Sequence, residues 1–433
     1  MKFFAELGSL VEERWRDANY DERAFPEIAG GALAEMNPSA RMDPWEIIRW
    51  LHATPQLPRQ RDVEGRFGDP PITLYCSSRF HIDVYFWLDG TTSIHQHSFS
   101  GAFQVLLGSS VQSLYRFEQQ HSINSHFSIG QVCLTSAELL AKGDIRLIHA
   151  GRRFIHSLFH LDRPSATITI RTSQTTDALP QYDYLKPCLA LDPSFHDEST
   201  IKKVQSVILL LRMNHPEADS FIDNLISISD LQTTFSILRA AYECLTNNAL
   251  QNLFHLDTGR ERFHGLLHRA RSRHGELIDL IPKVFEETQR QMDIVHRRGY
   301  MTTIEHRFFL ALLLNVPHRL NVLELVKQRF SDKDPVDTIV EWVTELSTTR
   351  LLGSREANVL GVDGFDDEHL FVVRSLLEGL SREQAKEAFR KEYYFDQEGD
   401  LEGEFESVFN SLQSSTLLSS LLFDSENGKQ KAG

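Results

Sequence analysis

The sequence predicts an α+β fold in which helices precede an all-β barrel or sandwich and an all-helical half follows it. Three observations support this prediction. Apolar residues first recur at spacings of three and four, then short segments rich in β-branched and aromatic residues alternate with turn residues, and finally helical spacing returns. At 433 residues the chain is long enough for two or three domains, each with its own core. The expected parts are a helical segment (1–60), a β domain (61–185), a helical domain (196–425) and a disordered tail (426–433).

The N-terminal segment contains two amphipathic helical patterns. Apolar residues recur at helical spacing in FFAELGSLVEERW and again in DPWEIIRWLHA. In the second pattern Asp43 can cap the helix and Pro44 can occupy its first turn. The stretch TPQLPRQRDVEGRFGDPP follows, and its prolines and glycines predict a boundary between these helices and the β domain.

The next region changes to the pattern of strands. Its apolar segments are ITLYCSS, RFHIDVYFWLDG, FQVLLGSSVQSLYRFEQQ, GQVCLTSAELLAKGDIRLIHAG and SATITIRTS. They are short and are separated by Gly, Asp and Ser turns, which is typical of an all-β sandwich or barrel.

Helical spacing returns at about residue 196. Segments such as VQSVILLLRM, ELIDLIPKVFEETQRQMDIV and PVDTIVEWVTEL predict helices, with Pro282, Pro317 and Pro335 between or at the start of them. We find no repeat of fixed period, so the sequence does not support a tetratricopeptide or armadillo array.

Composition excludes several functional classes. A net charge of −15 argues against general nucleic-acid binding, which requires clustered Lys and Arg. The four cysteines lie far apart without a CxxC pair, which argues against a disulfide framework or a zinc ribbon. The N-terminus lacks the uninterrupted apolar core of a signal peptide, and no window is apolar enough to span a membrane. We therefore expect a cytoplasmic protein.

Two histidines, His95 and His97, flank one residue in the stretch TTSIHQHSFSGAFQVLLGSS. Successive side chains of a strand point to opposite faces, so a spacing of two places both imidazoles on one face, from which both can point into a barrel. Two neutral imidazoles on one wall supply two ligands to a metal ion. A third ligand must then come from another strand.

The segment DIRLIHAGRRFIHSLFHLDRPSATITIRT is the predicted source of the third ligand. It contains a strand, a turn, His156 and a further strand, in that order. His149 and His160 are alternatives within the same segment. His160 lies four residues beyond His156 and so shares its face in a strand, whereas His149 lies just before the turn.

These features resemble the cupin superfamily, in which a His-x-His motif is followed by a glycine and a second motif places a glycine turn before the last histidine. The matching residues are Gly90, His95, His97, Gln104 and Gly108 for the first motif, and Gly143, Gly151 and His156 for the second. The resemblance covers roughly residues 70 to 175. It implies a jelly-roll barrel (a double-stranded β-helix) that holds a metal ion, and it does not extend to the helical half.

Within the cupins the sequence is most similar to the thiol dioxygenases of the cysteine dioxygenase type. The stretch VYFWLDGTTSIHQHSFSGAFQVLLG follows their plan of an apolar strand ending in Trp, a Gly-containing turn and His-x-His. This resemblance implies ferrous iron held by three histidines, with open positions for substrate and dioxygen. Gln104 is near the place where other cupins carry a glutamate ligand, which favours the three-histidine set and leaves Gln104 as a further candidate ligand.

The sequence departs from these enzymes around the substrate. Gly101 or Ala102 occupies the position of the cysteine that mammalian-type enzymes cross-link to a tyrosine. The family's His-x-Tyr is absent from ATITIRTS, which has threonines instead. We therefore expect a small polar substrate other than cysteine.

Three residues are candidates for binding that substrate. In the family an arginine binds the substrate carboxylate, and Arg79 and Arg171 are the two candidates here because a guanidinium fork suits such a group. Tyr85 alternates with Asp83 and Trp87 along its strand, so it either faces the cavity or packs in the core.

Three functions agree with these observations. The first is an iron-dependent oxygenase that acts with dioxygen on a small polar molecule. The second is a cupin lyase or isomerase with zinc, manganese or nickel in the same site. The third is a non-enzymatic cupin that senses a metal or a small molecule and binds a protein partner through its helical half. The helical half could equally close the barrel mouth or form a homodimer interface.

Overall fold

The computed structural model describes residues 1–65, 67–173, 180–195, 197–246, 258–351, 358–393 and 401–423. The predicted disordered tail, 426–433, lies outside these residues. The described residues form an α+β protein with N-terminal helices, two antiparallel sheets and a helical C-terminal half, as the sequence predicts.

Four N-terminal helices cover one sheet. They are α1 (Lys2–Asp17), α2 (Phe25–Met36), α3 (Pro38–Arg41) and α4 (Pro44–Ala53). The predicted cap of α4 is confirmed, because the Asp43 carboxylate accepts a hydrogen bond from the backbone N–H of Trp45 at 3.1 Å. Buried apolar residues of α1, α2 and α4 form one core with the sheet beneath them.

That sheet has five strands in the order β1-β2-β9-β4-β7. Their bounds are β1 (Pro71–Cys76), β2 (Phe80–Trp87), β4 (Gly101–Leu107), β7 (Ile145–Ile148) and β9 (Ser165–Thr172). Along β2, Ile82, Val84 and Phe86 belong to the core beneath the helices. The alternate residues of β2 point the other way and form a polar row, which is described below.

The remaining strands close into a barrel in the order β10-β11-β6-β5-β8-β3. Their bounds are β3 (Ile94–Gln96), β5 (Ser110–Asn124), β6 (Phe127–Leu140), β8 (Ile155–His160), β10 (Asp183–Leu185) and β11 (Leu189–Leu191). Strand β3 pairs with β8 on one side and with β10 on the other. Strand β11 therefore carries the β region past residue 185, where the sequence predicts its end.

The described residues of the C-terminal half are mostly helical. In chain order the helices are α5 (Glu198–Arg212), α6 (Ala218–Ile228), α7 (Leu231–Thr246), α8 (Thr258–His274), α9 (Ile281–Arg297), α10 (Ile304–Asn315), α11 (Arg319–Arg329), α12 (Pro335–Ser347), α13 (Asp367–Leu377), α14 (Arg382–Tyr393), α15 (Leu401–Ser414) and α16 (Ser419–Leu422). Among the described residues, none of the helices is both long and apolar enough to cross a membrane.

The helical half packs directly on the barrel. Val111, Phe159 and Leu161 of the barrel share one buried core with α9 to α16. Polar contacts cross the same boundary, since the Tyr115 hydroxyl donates to Asn315 Oδ1 at 3.0 Å. The helices therefore form part of the framework that holds the barrel strands.

Candidate metal centre

The two histidines of the His-x-His motif lie on and just after β3 and point the same way. Gln96, between them, faces away, because its amide accepts from the Tyr184 hydroxyl at 2.5 Å and donates to the carbonyl of Pro180 at 2.8 Å. Strand alternation therefore places His95 and His97 together on the inner wall of the barrel, as predicted from their spacing.

The third histidine comes from the neighbouring strand. His156 on β8 is directly opposite His95 in the antiparallel register. The Nε2 atoms of His97 and His156 lie 2.9 Å apart, and one ring nitrogen from each of the three histidines lies within 4.8 Å of the others. All three side chains are buried, with exposures of 5%, 7% and 3% for His95, His97 and His156. This group could hold a metal ion.

Neighbouring polar groups orient two of the three rings. His95 Nδ1 lies 2.9 Å from the carbonyl oxygen of Ser93; because a carbonyl only accepts, Nδ1 carries the proton and Nε2 keeps a lone pair. The amide of Gln112 lies 3.1 Å from His156 Nδ1. An amide presents a donor or an acceptor when it turns, so Gln112 can satisfy either tautomer of His156.

The three imidazoles are neutral at pH 7. Burial lowers the pKa of His95, and it lowers the pKa values of His97 and His156 well below their usual range. The charge of Arg171 lowers the pKa of His97 further, and a proton on one of the three rings would disfavour a second proton on its neighbours. A metal ion requires unprotonated nitrogen ligands, so this environment suits metal binding.

The other candidate ligands lie outside this group. His160 stacks on Trp87 with ring centres 4.7 Å apart, and its Nδ1 is 2.8 Å from the Ser165 hydroxyl. It shares a face with His156, but four residues of strand separate the two by about 13 Å. His149 lies before the short helical turn of Gly151–Arg153 and is half-buried.

Gln104 also faces away from the histidines. Its carbonyl oxygen accepts from the backbone N–H of Ser39 at 3.3 Å, and its amide nitrogen donates to the carbonyl of Gly143 at 3.1 Å. Phe103 and Val105, on either side, point into the barrel. Gln104 therefore joins β4 to α3 and to the turn before β7, where it cannot reach the site of the three histidines.

The three histidines line an open cavity of about 860 Å³. Thr167, Thr169 and Arg171 of β9 line the same cavity, together with Tyr85 of β2. Its wall thus presents hydroxyl groups and one guanidinium group, together with the carboxyl groups of four aspartates, Asp62, Asp69, Asp89 and Asp183, which suits a polar ligand.

Arg171 is held close to the histidines by a buried polar cluster. Its Nε donates to His81 Nε2 at 2.7 Å and lies 3.4 Å from Asp83 Oδ2. The guanidinium also lies over the ring of Phe99, 4.6 Å from its centre, and that ring is 4.5 Å from the ring of His97. Phe99 therefore contacts both the arginine and a candidate ligand.

The charges of this cluster follow from its burial and its partners. Burial lowers the pKa of His81, so its ring is neutral. Burial alone would raise the pKa of Asp83, but its contact with His81 and the charge of Arg171 lower it below its usual value. Tyr85 donates its hydroxyl to Asp83 at 3.0 Å, and burial raises its pKa, so it stays protonated.

Arg79, the other candidate for binding a substrate carboxylate, lies elsewhere. Its guanidinium is 4.0 Å from the ring centre of Tyr20, and it lines a separate cavity beside α1. Arg171 could not be preferred over Arg79 from the sequence, because its position beside the histidines depends on the pairing of His81 with Arg171 across β2 and β9.

Sequence reasoning missed three residues beside the histidines, namely Ser93, Gln112 and Asp183. Asp183 on β10 is opposite His95, lines the cavity and accepts from the Ser93 hydroxyl at 3.3 Å. Burial raises its pKa to about 6. Ser93 could have been found from the sequence, because it lies two residues before His95. Gln112 and Asp183 reach the site through pairing of strands that are far apart in the chain.

The buried histidines predict that the metal-free protein is sensitive to acid. Burial lowers the pKa of all three candidate ligands and lowers that of His160 to about 3. In the unfolded chain each has a pKa of about 6.5, so the unfolded state binds more protons below that pH and stability falls as pH decreases. We expect a loss of up to about 1.4 kcal/mol per pH unit for each histidine between pH 6.5 and 5.

Urea unfolding of chelator-treated protein from pH 7.5 to 5 measures this loss. The variant His160→Phe should reduce the slope, whereas replacing the exposed His52 and His121 by Asn should leave it unchanged. A free energy of unfolding that stays flat over this range would contradict the neutral, buried state of the histidines.

Comparison with known protein families and with curated proteins finds no match. Solved structures give weak similarities. The DMSP lyase DddQ from Ruegeria pomeroyi DSS-3 is 16% identical with a TM-score of 0.22, covering 33% of this chain and 74% of its own. An oxalate oxidase is 11% identical (TM-score 0.20, 38% and 76% covered), and the cysteine peptidase Peruvianin-I from Thevetia peruviana latex is 17% identical (0.19, 28% and 69%).

These similarities are too weak to carry an argument about chemistry, and the named activities differ from one another. The β region is cupin-like in its own geometry. Its antiparallel strands close into a barrel, and three histidines from two adjacent strands converge on the inner wall.

Proposed function

We propose that the chain is a metal-dependent cupin oxygenase that binds Fe(II) through His95, His97 and His156 and acts with dioxygen on a small, polar, anionic substrate. One observation carries this proposal. Three buried neutral imidazoles converge on the wall of an open cavity, and the ring of Phe99 contacts both His97 and Arg171.

The donor set fits a divalent transition metal. Imidazole nitrogen suits iron, zinc, copper and nickel, whereas magnesium and calcium prefer oxygen ligands. Three neutral ligands leave the positive charge of the ion uncompensated, so an anionic substrate is favoured beside it. When bound, ferrous iron supplies the one-electron chemistry that dioxygen requires. Ser93 and Gln112 hold the rings of His95 and His156 in place for this ligand set.

Arg171 is the residue that we assign to the anionic group of the substrate. Its Nε is occupied by His81, and within the described residues its two Nη atoms have no hydrogen-bond partner. The side chain is 24% exposed, on the cavity side of β9. A guanidinium fixed at Nε and open at both Nη atoms can bind a carboxylate through two parallel hydrogen bonds.

The hydroxyls of Thr167 and Thr169 extend the polar wall beside Arg171. Thr167 also accepts a hydrogen bond from Trp87 Nε1 at 3.2 Å, which fixes its orientation. A cavity of about 860 Å³ is larger than a single small amino acid requires. These features support a polar substrate other than cysteine.

A second candidate function is a metal-dependent lyase or isomerase with zinc, manganese or nickel in the same site. Asp183 favours this alternative, because it lines the cavity opposite His95 and its pKa is raised to about 6. A carboxyl group with a pKa close to neutrality can take up and release a proton, which such reactions require.

Oxygen consumption tests the first function. Protein loaded with iron without oxygen should consume dioxygen when a substrate from a panel of small thiols and carboxylates is added, and zinc-loaded protein should not. The variant Arg171→Gln should raise KM by about 10-fold or more, because a charged hydrogen-bond pair with the substrate is lost.

The variant Arg163→Gln is the matched control, since that arginine is 56% exposed and pairs with Asp89 outside the candidate ligand set. Turnover by the zinc, manganese or nickel form without oxygen consumption would replace the first function by the second. Tight metal binding without turnover on any member of the panel would favour a sensing role.

A further inference from the structure

A second cavity of about 510 Å³ lies beside α1, at the opposite end of β2 from Trp87. We call it the arginine cavity because Arg59, Arg61 and Arg79 line it. Its size is within the usual range for small-molecule sites. The residues that line it are distinct from those of the cavity lined by the three histidines (the histidine cavity), so its function does not depend on the proposed oxygenase activity.

The charge of the arginine cavity is opposite to that of the whole chain. The chain has a net charge of −15, yet three guanidinium groups line this cavity and Glu22 is its one acidic residue. Within the part of the chain that the structure describes, none of the three guanidinium groups lies in a salt bridge. The cavity therefore carries three guanidinium groups against one carboxyl group.

Two further features show that the cavity is a formed site. The guanidinium of Arg79 lies 4.0 Å from the ring centre of Tyr20, which restricts its position. Ser173 lines the cavity, and its buried hydroxyl has no hydrogen-bond partner among the described residues. A buried hydroxyl without a partner is unfavourable, and an oxygen atom of a ligand would provide one.

The chemistry of these groups selects the ligand. A guanidinium group donates two parallel hydrogen bonds to a carboxylate or a phosphate. Three guanidinium groups can donate more hydrogen bonds than one carboxylate can accept, whereas a phosphate or diphosphate offers several oxygens and more than one negative charge. The rings of Trp15 and Tyr20 add an apolar surface to the same cavity.

We propose that the arginine cavity is a second ligand site that binds a phosphate-bearing small molecule through Arg59, Arg61, Arg79 and Ser173. Strand β2 runs from the arginine cavity to the histidine cavity. Arg79 is two residues before His81, whose ring accepts the hydrogen bond from Arg171. A ligand on Arg79 would thus lie next to the start of β2, the strand whose His81 binds Arg171 of β9.

Titration calorimetry with pyrophosphate at constant ionic strength tests the proposal. We expect one site per chain, and we expect the triple variant Arg59→Gln, Arg61→Gln, Arg79→Gln to bind about 30-fold more weakly or worse, because each charged hydrogen bond that is lost weakens binding. The variant Ser173→Ala should weaken pyrophosphate binding by a smaller factor. A triple Arg→Lys variant should bind at an intermediate level, since it keeps the charge but not the fork.

The matched control replaces three exposed arginines elsewhere, Arg153, Arg350 and Arg390, by Gln and changes the net charge by the same amount. It should bind pyrophosphate as the unaltered protein does. Equal weakening in both triple variants would show a general charge effect and overturn the proposal. Absence of pyrophosphate binding, with binding instead to RNA or to anionic lipid vesicles, would also overturn it.

Discussion

Replacing His95 and His97 by alanine should remove the bound metal from protein purified without oxygen or chelators. We expect the unaltered chain to carry close to one metal ion, and the double variant to bind that ion more than about 100-fold more weakly. The reason is that loss of a single outer partner of a metal ligand already costs about 10–100-fold in affinity, and this variant loses two of the three candidate ligands that converge within 4.8 Å. Elemental analysis of both proteins measures the effect.

The matched control is the double variant His52→Ala, His121→Ala, which removes two exposed imidazoles. It should keep its metal. Iron lost from the His95, His97 variant alone would support the oxygenase, and zinc, manganese or nickel lost in the same way would support the lyase or isomerase. An unaltered protein that folds and carries no metal after reconstitution with any of these ions would contradict the site.

The half of this site that lies in one stretch of sequence could be predicted, and the other half could not. The spacing of His95 and His97 fixes their common face through strand alternation alone. His156 was one of three candidates, because His149 and His160 occur in the same segment. What selects His156 is its position opposite His95 in the register of β3 and β8, a contact between residues far apart in the chain.

Contacts between residues far apart in the chain also decide which arginine reaches the site and where the helical half packs. Arg79 and Arg171 were rival candidates in the sequence for binding a substrate carboxylate. Arg171 is opposite His81 of β2 and lines the histidine cavity, whereas Arg79 does not. Helical spacing predicted the C-terminal helices, yet it carried no signal for where they pack. The structure shows that they reach the loop before the His-x-His motif through Arg298, which donates to the carbonyl of Gly90, and through Arg307, which lies 3.6 Å from Asp89.

Arg298 is the contact through which we expect the helical half to act on the metal site. It follows α9 and is 2% exposed. Its guanidinium donates to the carbonyl of Gly90 at 2.7 Å, to the hydroxyl of Thr91 at 2.6 Å and to the carbonyl of His160, and it lies 3.6 Å from Asp89. Burial lowers its pKa to about 10, so it remains charged at pH 7.

The variant Arg298→Met should lower the free energy of unfolding by about 3–5 kcal/mol. It keeps the length of the side chain but removes the donor to three acceptors, of which the Gly90 carbonyl keeps a bond from the backbone N–H of His160. A buried acceptor left unpaired costs about 1–3 kcal/mol, and one partner of a partly buried ion pair is lost as well. Metal affinity should fall as well, because the freed loop leads to Ser93, whose carbonyl orients His95. Urea unfolding and metal titration measure the two effects separately.

Arg163 provides the control for charge, because it pairs with the same carboxylate of Asp89 at 3.4 Å but is 56% exposed. Arg163→Met should cost no more than about 1 kcal/mol, as exposed ion pairs do, and should leave metal affinity unchanged. If Arg298→Met lowered stability but not metal affinity, the helices would support the barrel without positioning its histidines. If both variants behaved alike, the buried hydrogen bonds of Arg298 would not be the contacts that hold the loop.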